Sequence, residues 1–157
     1  MPDGSRQLTP DEYPPQLSEI PGAPAALQAR GTWPSADTRY LAVVGSRALT
    51  AYGRQACESL ISGLAGYPVS IISGLALGAD ACAHKAALSA GLHTVAVLGS
   101  GVDDASIYPR TNAGLGKDIL AAGGLLISEQ EDGYRPQLYD FPKRNRIVVG
   151  LAHAVLV

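Results

Sequence analysis

Five short apolar runs constrain what this chain can fold into more than any other feature: Tyr40–Val44, Val69–Ser73, His93–Leu98, Gly124–Ser128 and Ala154–Val157. The first, Tyr40-Leu41-Ala42-Val43-Val44, shows no polar alternation, which is the pattern of a strand covered on both faces. Helical stretches separate the runs, from about Gly53 to Ala65, Ala79 to Ala90, Asn112 to Ala122 and Lys143 to Ala152. Glycine turns follow the first three runs at Gly45, Gly74 and Gly99. Parallel strands need crossover connections and helices supply them here, so the spacing predicts an α/β fold with a doubly wound, mainly parallel, Rossmann-like sheet.

Residues 1–39 have a different character. They hold Pro2, Pro10, Pro14, Pro15, Pro21, Pro24 and Pro34, seven of the 11 prolines in the chain. Proline fixes φ and removes a hydrogen-bond donor, which predicts an irregular arm with at most short helical turns. Tyr13, Leu17, Ile20, Leu27 and Trp33 are enough to pin that arm onto a domain spanning 40–157.

Composition bounds the function. At 157 residues, with 46% hydrophobic and 17% charged residues, this is the chemistry of one ordinary globular domain. A net charge of -2 excludes a generally basic nucleic-acid coat, so any polyanion binding must come from a local patch. Cys57 and Cys82 lie in helical stretches without a CxxC or a neighbouring His–Cys spacing, and read as buried free thiols. The leading residues Met1 to Gln7 lack an apolar signal core and no run approaches membrane-spanning length, so the expectation is a cytoplasmic, unanchored protein. The chain ends on an apolar run, which implies either a strand beside a neighbour in the sheet or a piece of something longer.

Phe141-Pro142-Lys143-Arg144-Asn145-Arg146 puts three cations within four residues, on a loop that feeds a helix. A helix N-terminus presents unpaired N–H groups and partial positive charge, which together with these side chains makes a phosphate grip. On charge alone, a solvated basic turn is the simpler account. Gly45-Ser46-Arg47 lies where doubly wound sheets bind ligands, and its hydroxyl and guanidinium suit a phosphate. A plain strand-exit turn fits it equally. Gly74 and Gly78 open a helix and could form an anion nest. Asp80 and His84 share that helix's face as either an acid/base or metal pair, or a capping carboxylate bonded to a histidine. Gly99-Ser100-Gly101 is a third glycine turn, followed by Asp103, Asp104 and Tyr108-Pro109. Glu129 is a strand-end carboxylate, open to a catalytic or a loop-entry role. GxSxG and GxxxxGK[ST] are both missing from the sequence, and catalysis has weak support.

Taken in order, these motifs resemble the DNA-processing protein DprA (Smf) family. The resemblance rests on Val44-Gly45-Ser46-Arg47, Tyr52-Gly53, and Ser73-Gly74-Leu75-Ala76 with Gly78, Asp80, Ala83 and His84. It continues through Val97-Leu98-Gly99 with Gly101, Tyr108-Pro109, Ser128-Glu129, and Phe141-Pro142 with Arg144-Asn145-Arg146 and Gly150-Leu151. The arm segments Tyr13-Pro14-Pro15-Gln16-Leu17, Ile20-Pro21 and Arg30-Gly31 also look like the family's lead-in.

The resemblance implies a non-enzymatic protein that binds and shields single-stranded DNA during natural transformation and helps load the RecA recombinase. It implies a homodimer that needs no cofactor or metal. It places DNA contacts at Gly45, Ser46 and Arg47, at Ser73 and Gly74 through backbone N–H groups, and at Phe141, Lys143, Arg144 and Arg146. Members of that family continue well past the last strand here, so the dimer surface and RecA contacts are expected to be incomplete. The alternative is a nucleotide or nucleoside-monophosphate hydrolase of the related phosphoribohydrolase-like class. Its P-G-G-x-G-T-x-x-E motif does not occur in this sequence. A remnant serving as an interaction module is a third reading.

Overall fold

The computed structural model describes residues 4–157. The reading of Met1, Pro2 and Asp3 as free of an apolar signal core, and as the start of the arm, lies outside the described residues. The strands are β1 (Arg6–Leu8), β2 (Leu27–Gly31), β3 (Arg39–Val43), β4 (Val69–Ser73), β5 (His93–Leu98), β6 (Leu125–Ser128) and β7 (Ala154–Leu156). They form a single seven-stranded sheet in the order β1-β2-β6-β5-β4-β3-β7. From β6 to β7 all neighbours are parallel, and β1 and β2 add an antiparallel edge. The expected α/β doubly wound sheet is therefore present.

The predominantly apolar runs have a direct cause. Alternate residues enter two different cores, so polar side chains are few and are hydrogen-bonded, as Ser70 is to His93 and Thr94 to the Ile71 carbonyl. On one face Tyr40, Ala42, Ile72, Val95, Val97, Leu125 and Ile127 pack under Ile147, Val148 and Leu151 of helix α5 (Asp140–Leu151). On the other face Leu41, Val43 and Ile71 meet α2 (Ala51–Ser62) and α3 (Ala79–Ser89). Ala96, Leu98 and Leu126 meet Leu115 and Ile119 of α4 (Ala113–Ala121) on that same face. Cys57 is buried and Cys82 half-buried between α2 and α3, both as free thiols, and burial pushes the Cys57 pKa up to about 12. Among the described residues no helix is long and apolar enough to cross a membrane.

Residues of the Pro-rich segment pack on the sheet. Tyr13, Leu17 and Leu27 are buried in the α5-side core, with Ile20 and Trp33 packed against it. It keeps its short turns, a 3-10 turn at Pro10–Glu12 and the four-residue α1 (Pro15–Ser18). Irregularity does not extend through it, however: β1 and β2 join the sheet, β2 pairing Gln28 to Gly31 with Ser128 to Leu125. The reason is local. No proline falls between Pro24 and Pro34, and within that window buried Leu27 and Ala29 alternate with half-buried Gln28 and Arg30.

Helix α5 begins at Asp140, three residues before the expected start. Proline is tolerated in a first turn because N–H groups there have no intrahelical acceptor. Asp140 is buried and fixes the entry: its Oδ2 accepts from the Gln137 N–H at 2.7 Å and from the Tyr134 hydroxyl at 2.9 Å. Phe141 and Lys143 are consequently helical residues, with side chains held in a defined direction.

Candidate nucleic-acid interface

The carboxyl ends of β3, β4 and β5 converge on the first turn of α5. The Gly45-Ser46-Arg47 turn is exposed. Its Ser46 hydroxyl accepts from the Ala48 N–H at 3.0 Å, and its Ser46 carbonyl accepts from the Ala79 N–H at 3.0 Å. Gly78, at φ +77°, makes this approach possible, since a Cβ there would lie 2.3 Å from the Ser46 oxygen. The turn is thereby seated on the start of α3.

The second turn is organised inward. The Ser73 hydroxyl is buried and donates to the Val43 carbonyl at 2.6 Å. The Asp80 carboxylate accepts from the Gly74 N–H at 3.1 Å and the Ala76 N–H at 3.3 Å. The anion nest read from the sequence thus exists, and the protein's own Asp80 carboxylate fills it. Ser73 and Gly74 do not offer the backbone contacts expected of them. Leu75 is fully buried at φ 59°, a left-handed conformation costly for a branched residue, with its carbonyl held by the Asn112 amide at 2.8 Å. His84 does not bond Asp80. Its Nδ1 pairs with the Thr94 hydroxyl at 2.8 Å, and burial, reinforced by Arg144, lowers its pKa to about 3, so it is neutral.

Arg144 lies beneath the turns. It is 6% exposed, and its Nη1 donates to the carbonyls of Gly74 and Val97, each at 2.7 Å. Burial pulls its pKa down, with the Asp80 carboxylate opposing and Arg47 adding to the shift. A buried cation is tolerated when its donors are satisfied and a counter-charge is close. Arg144 therefore ties the ends of β4 and β5 to α5. Gly74 leaves room for it: a Cβ at that position would be 2.6 Å from Arg144 Cζ.

Phe141 joins the turns on the outer side. Arg47 Cζ lies 5.6 Å from its ring centroid and Arg144 Cζ 5.7 Å, both within cation–π range. The Tyr108 ring leans on it at 5.5 Å with a 36° tilt. An open cleft of about 210 Å³ runs between Gly45, Arg47, Asp80, Phe141, Arg144 and Asn145. Lys143 is exposed two residues along, and its side chain has no hydrogen bond or ion pair among the described residues.

The nine residues singled out from the sequence therefore separate. Gly45, Arg47, Gly74 and Phe141 line the cleft, with Arg144 as its floor, and Ser46 stands in the exposed turn beside it. The Lys143 side chain is exposed on the same helix. Ser73 is built into the support, and the Gly74 N–H is held by Asp80 although Gly74 borders the cleft. Arg146 turns away: it clasps Glu129 through two contacts of 2.6 Å and donates to the Gly22 carbonyl at 3.1 Å, fastening the arm to α5. That occupies Glu129 as well, in a structural ion pair. Asp103 and Asp104 are also engaged, the former with the Gly133 N–H and Ser106, the latter with Arg30. Tyr108 belongs to the site and was not among the nine. Its neighbourhood with Phe141 depends on the path of a long loop, and only its place in the Tyr108-Pro109 motif hinted at it.

The family model described as DNA recombination-mediator protein A matches residues 6–157. The chain belongs to this family. Relatives agree: the chain is 44% identical over 145 residues to protein Smf of Escherichia coli, covering 92% of this chain and 38% of that protein. It is 42% identical over 153 residues to the DNA processing protein DprA of Streptococcus pneumoniae, covering 98% of this chain and 53% of that one. The X-ray structure of the Streptococcus pneumoniae DprA superposes with a TM-score of 0.87 at 38% identity, covering 96% of this chain and 52% of that chain. DNA processing protein A from Helicobacter pylori superposes with a TM-score of 0.82 at 30% identity, covering 96% and 67% respectively. The chain thus spans about half or less of the length of these two curated relatives.

Proposed function

We propose that this domain binds single-stranded DNA without catalysing a reaction, with the cleft between Arg47 and Phe141 as the contact site. The observation that carries this reading is the exposed Arg47 guanidinium beside the Phe141 ring at the carboxyl edge of a doubly wound sheet. A cation follows the phosphates, and an aromatic face stacks on any base, so the pair suits a strand whose bases are unpaired. Lys143 adds a second phosphate contact. The Helicobacter pylori relative is described by its single-stranded DNA binding mode, which supports the same ligand here. His84 supports a non-catalytic reading, since it is neutral, fully buried and bonded to Thr94.

The proposal extends to what the resemblance implies: action in the cytoplasm in DNA uptake and RecA-dependent recombination, as a homodimer with RecA as a partner. Fluorescence anisotropy with single- and double-stranded oligonucleotides across a salt series tests the DNA reading. Preference for the single strand, weakening steeply with salt, is the expected result. Equal binding to both forms, or none at low salt, refutes it.

A further inference from the structure

A second groove opens beyond Phe141, with a volume of about 820 Å³, between Ser106, Tyr108, Arg110, Arg135, Leu138 and Phe141. Tyr108 and Phe141 are shared with the small pocket that also contains Arg47, so the two hollows meet along one aromatic ridge. Arg135 is exposed, and its side chain makes no hydrogen bond or ion pair among the described residues. Arg110 uses Nη1 on the carbonyls of Asp104 and Ala105, which aims its guanidinium from a fixed base. The acid in this groove is spoken for, because Asp103 accepts from the Gly133 N–H and the Ser106 hydroxyl, both at 2.9 Å. Apolar surface stands open beside the cations: Leu138 is 87% exposed and Tyr108 is 50% exposed.

We infer that this groove takes the next nucleotides of the same DNA strand, with Arg135 and Arg110 on phosphates and Tyr108 and Leu138 against bases. The inference rests on the reading of the Arg47–Phe141 cleft as a single-stranded DNA site. Cations beside open aromatic and apolar faces match the alternation of phosphate and base along an unpaired strand. A duplex would present only its phosphates and leave Tyr108 and Leu138 without partners. The volume is also in the range of pockets that enclose small-molecule-sized groups, about 300–1,000 Å³. The strand would thus run from β3's turn, across the Tyr108–Phe141 ridge, toward the loop before α5.

Oligothymidylates of about four and about twelve nucleotides separate the two hollows. With the chain as it stands, anisotropy should show the longer oligonucleotide binding more tightly. Arg135→Ala should weaken the longer one about threefold to tenfold at low salt and lower its log–log salt slope by about 0.7, one phosphate contact on a single strand. The shorter one should stay within about twofold of wild type, and Arg135→Lys should restore the slope. If Arg135→Ala binds the longer strand as wild type does, the groove carries no DNA and this inference falls, while the cleft reading stands. If the wild-type chain binds neither length, both fall.

Discussion

Arg144 and Arg146 are two residues apart on α5 and were both read from the sequence as phosphate ligands, yet the regions they serve are opposites. Arg144 belongs to a buried layer with Gly74, Asp80 and His84, where nearly every polar group has an internal partner. Arg47, Lys143 and the outer face of Phe141 form a rim with almost none. The layer contains the more striking chemistry by any inventory: a cation, a carboxylate, a histidine and an anion nest. It spends that chemistry on itself, Asp80 filling the nest and Arg144 satisfying two strand-end carbonyls. Binding capacity lies in the groups left over. A charge's usefulness to a ligand is therefore measured by what it lacks, and breaking the two regions separately should give opposite phenotypes.

The largest effect on folding is expected from Arg144→Ala. It leaves the Gly74 and Val97 carbonyls without their donor and the half-buried Asp80 without its nearest buried counter-charge. Breaking one partner of a buried charged network costs about 3–5 kcal/mol. Urea denaturation should show a loss of that order, and DNA binding should fall with it because the turns are no longer held. A loss under about 1 kcal/mol would mean that the layer is not the clamp described.

Acid should attack the same layer. His84 is neutral when folded, with its pKa lowered from 6.5 to about 3, while the unfolded chain titrates at the ordinary value. Below pH 6.5 the unfolded state binds the proton that the folded state refuses, so the His84 contribution is intact above that pH and is lost as pH falls toward 3. The slope is up to about 1.4 kcal/mol per pH unit for one such group. Carboxylates titrate in the lower part of this window, so the comparison is between wild type and His84→Asn, which should be less stable at neutral pH but flatter between pH 6 and about 4.5. Gly74→Ala is the next step down. Its Cβ would meet Arg144 Cζ at 2.6 Å, and overpacking of this kind costs about 1–3 kcal/mol by the same denaturation assay.

The difference between the regions explains what could be read in advance. The four central strands β3 to β6 were legible because burial on both faces leaves runs that are mostly apolar, and glycine turns marked the ends of three of them. Strands β1 and β2 were obscured by the prolines around them, although the Leu27, Gln28, Ala29, Arg30 alternation was there to see. The basic segment was legible as a segment but not as directions. Each residue advances about 100° around a helix, so Arg144 and Arg146 stand about 200° apart, one pointing into the sheet edge and the other at Glu129. Moving the helix start from Lys143 to Asp140 decides which is which, and that start depends on Asp140 meeting Gln137 and Tyr134. Asp80 was read as a capping carboxylate bonded to His84, and its place in the nest was not foreseen. The choice between Asp80 and an external anion depends on distances that no spacing contains.

The smallest effect on folding, and the sharpest test of the comparison, belongs to Arg47→Ala and Lys143→Ala. Both side chains are exposed, and among the described residues neither makes a hydrogen bond or ion pair; Arg47 lies against the Phe141 ring. Each substitution should change unfolding free energy by no more than about 0.5 kcal/mol. Each should nonetheless weaken binding to an oligothymidylate and make its salt dependence shallower by about 0.7 in log–log slope. The rest of the Arg47 effect should come through Phe141, whose ring loses a cation from one face, so Arg47→Lys should recover the slope more fully than the affinity. Stability and binding would then have come apart on the rim, where the buried layer holds them together. Should Arg47→Ala instead destabilise the fold as much as Arg144→Ala does, the rim would be part of the clamp and the distinction between them would fail.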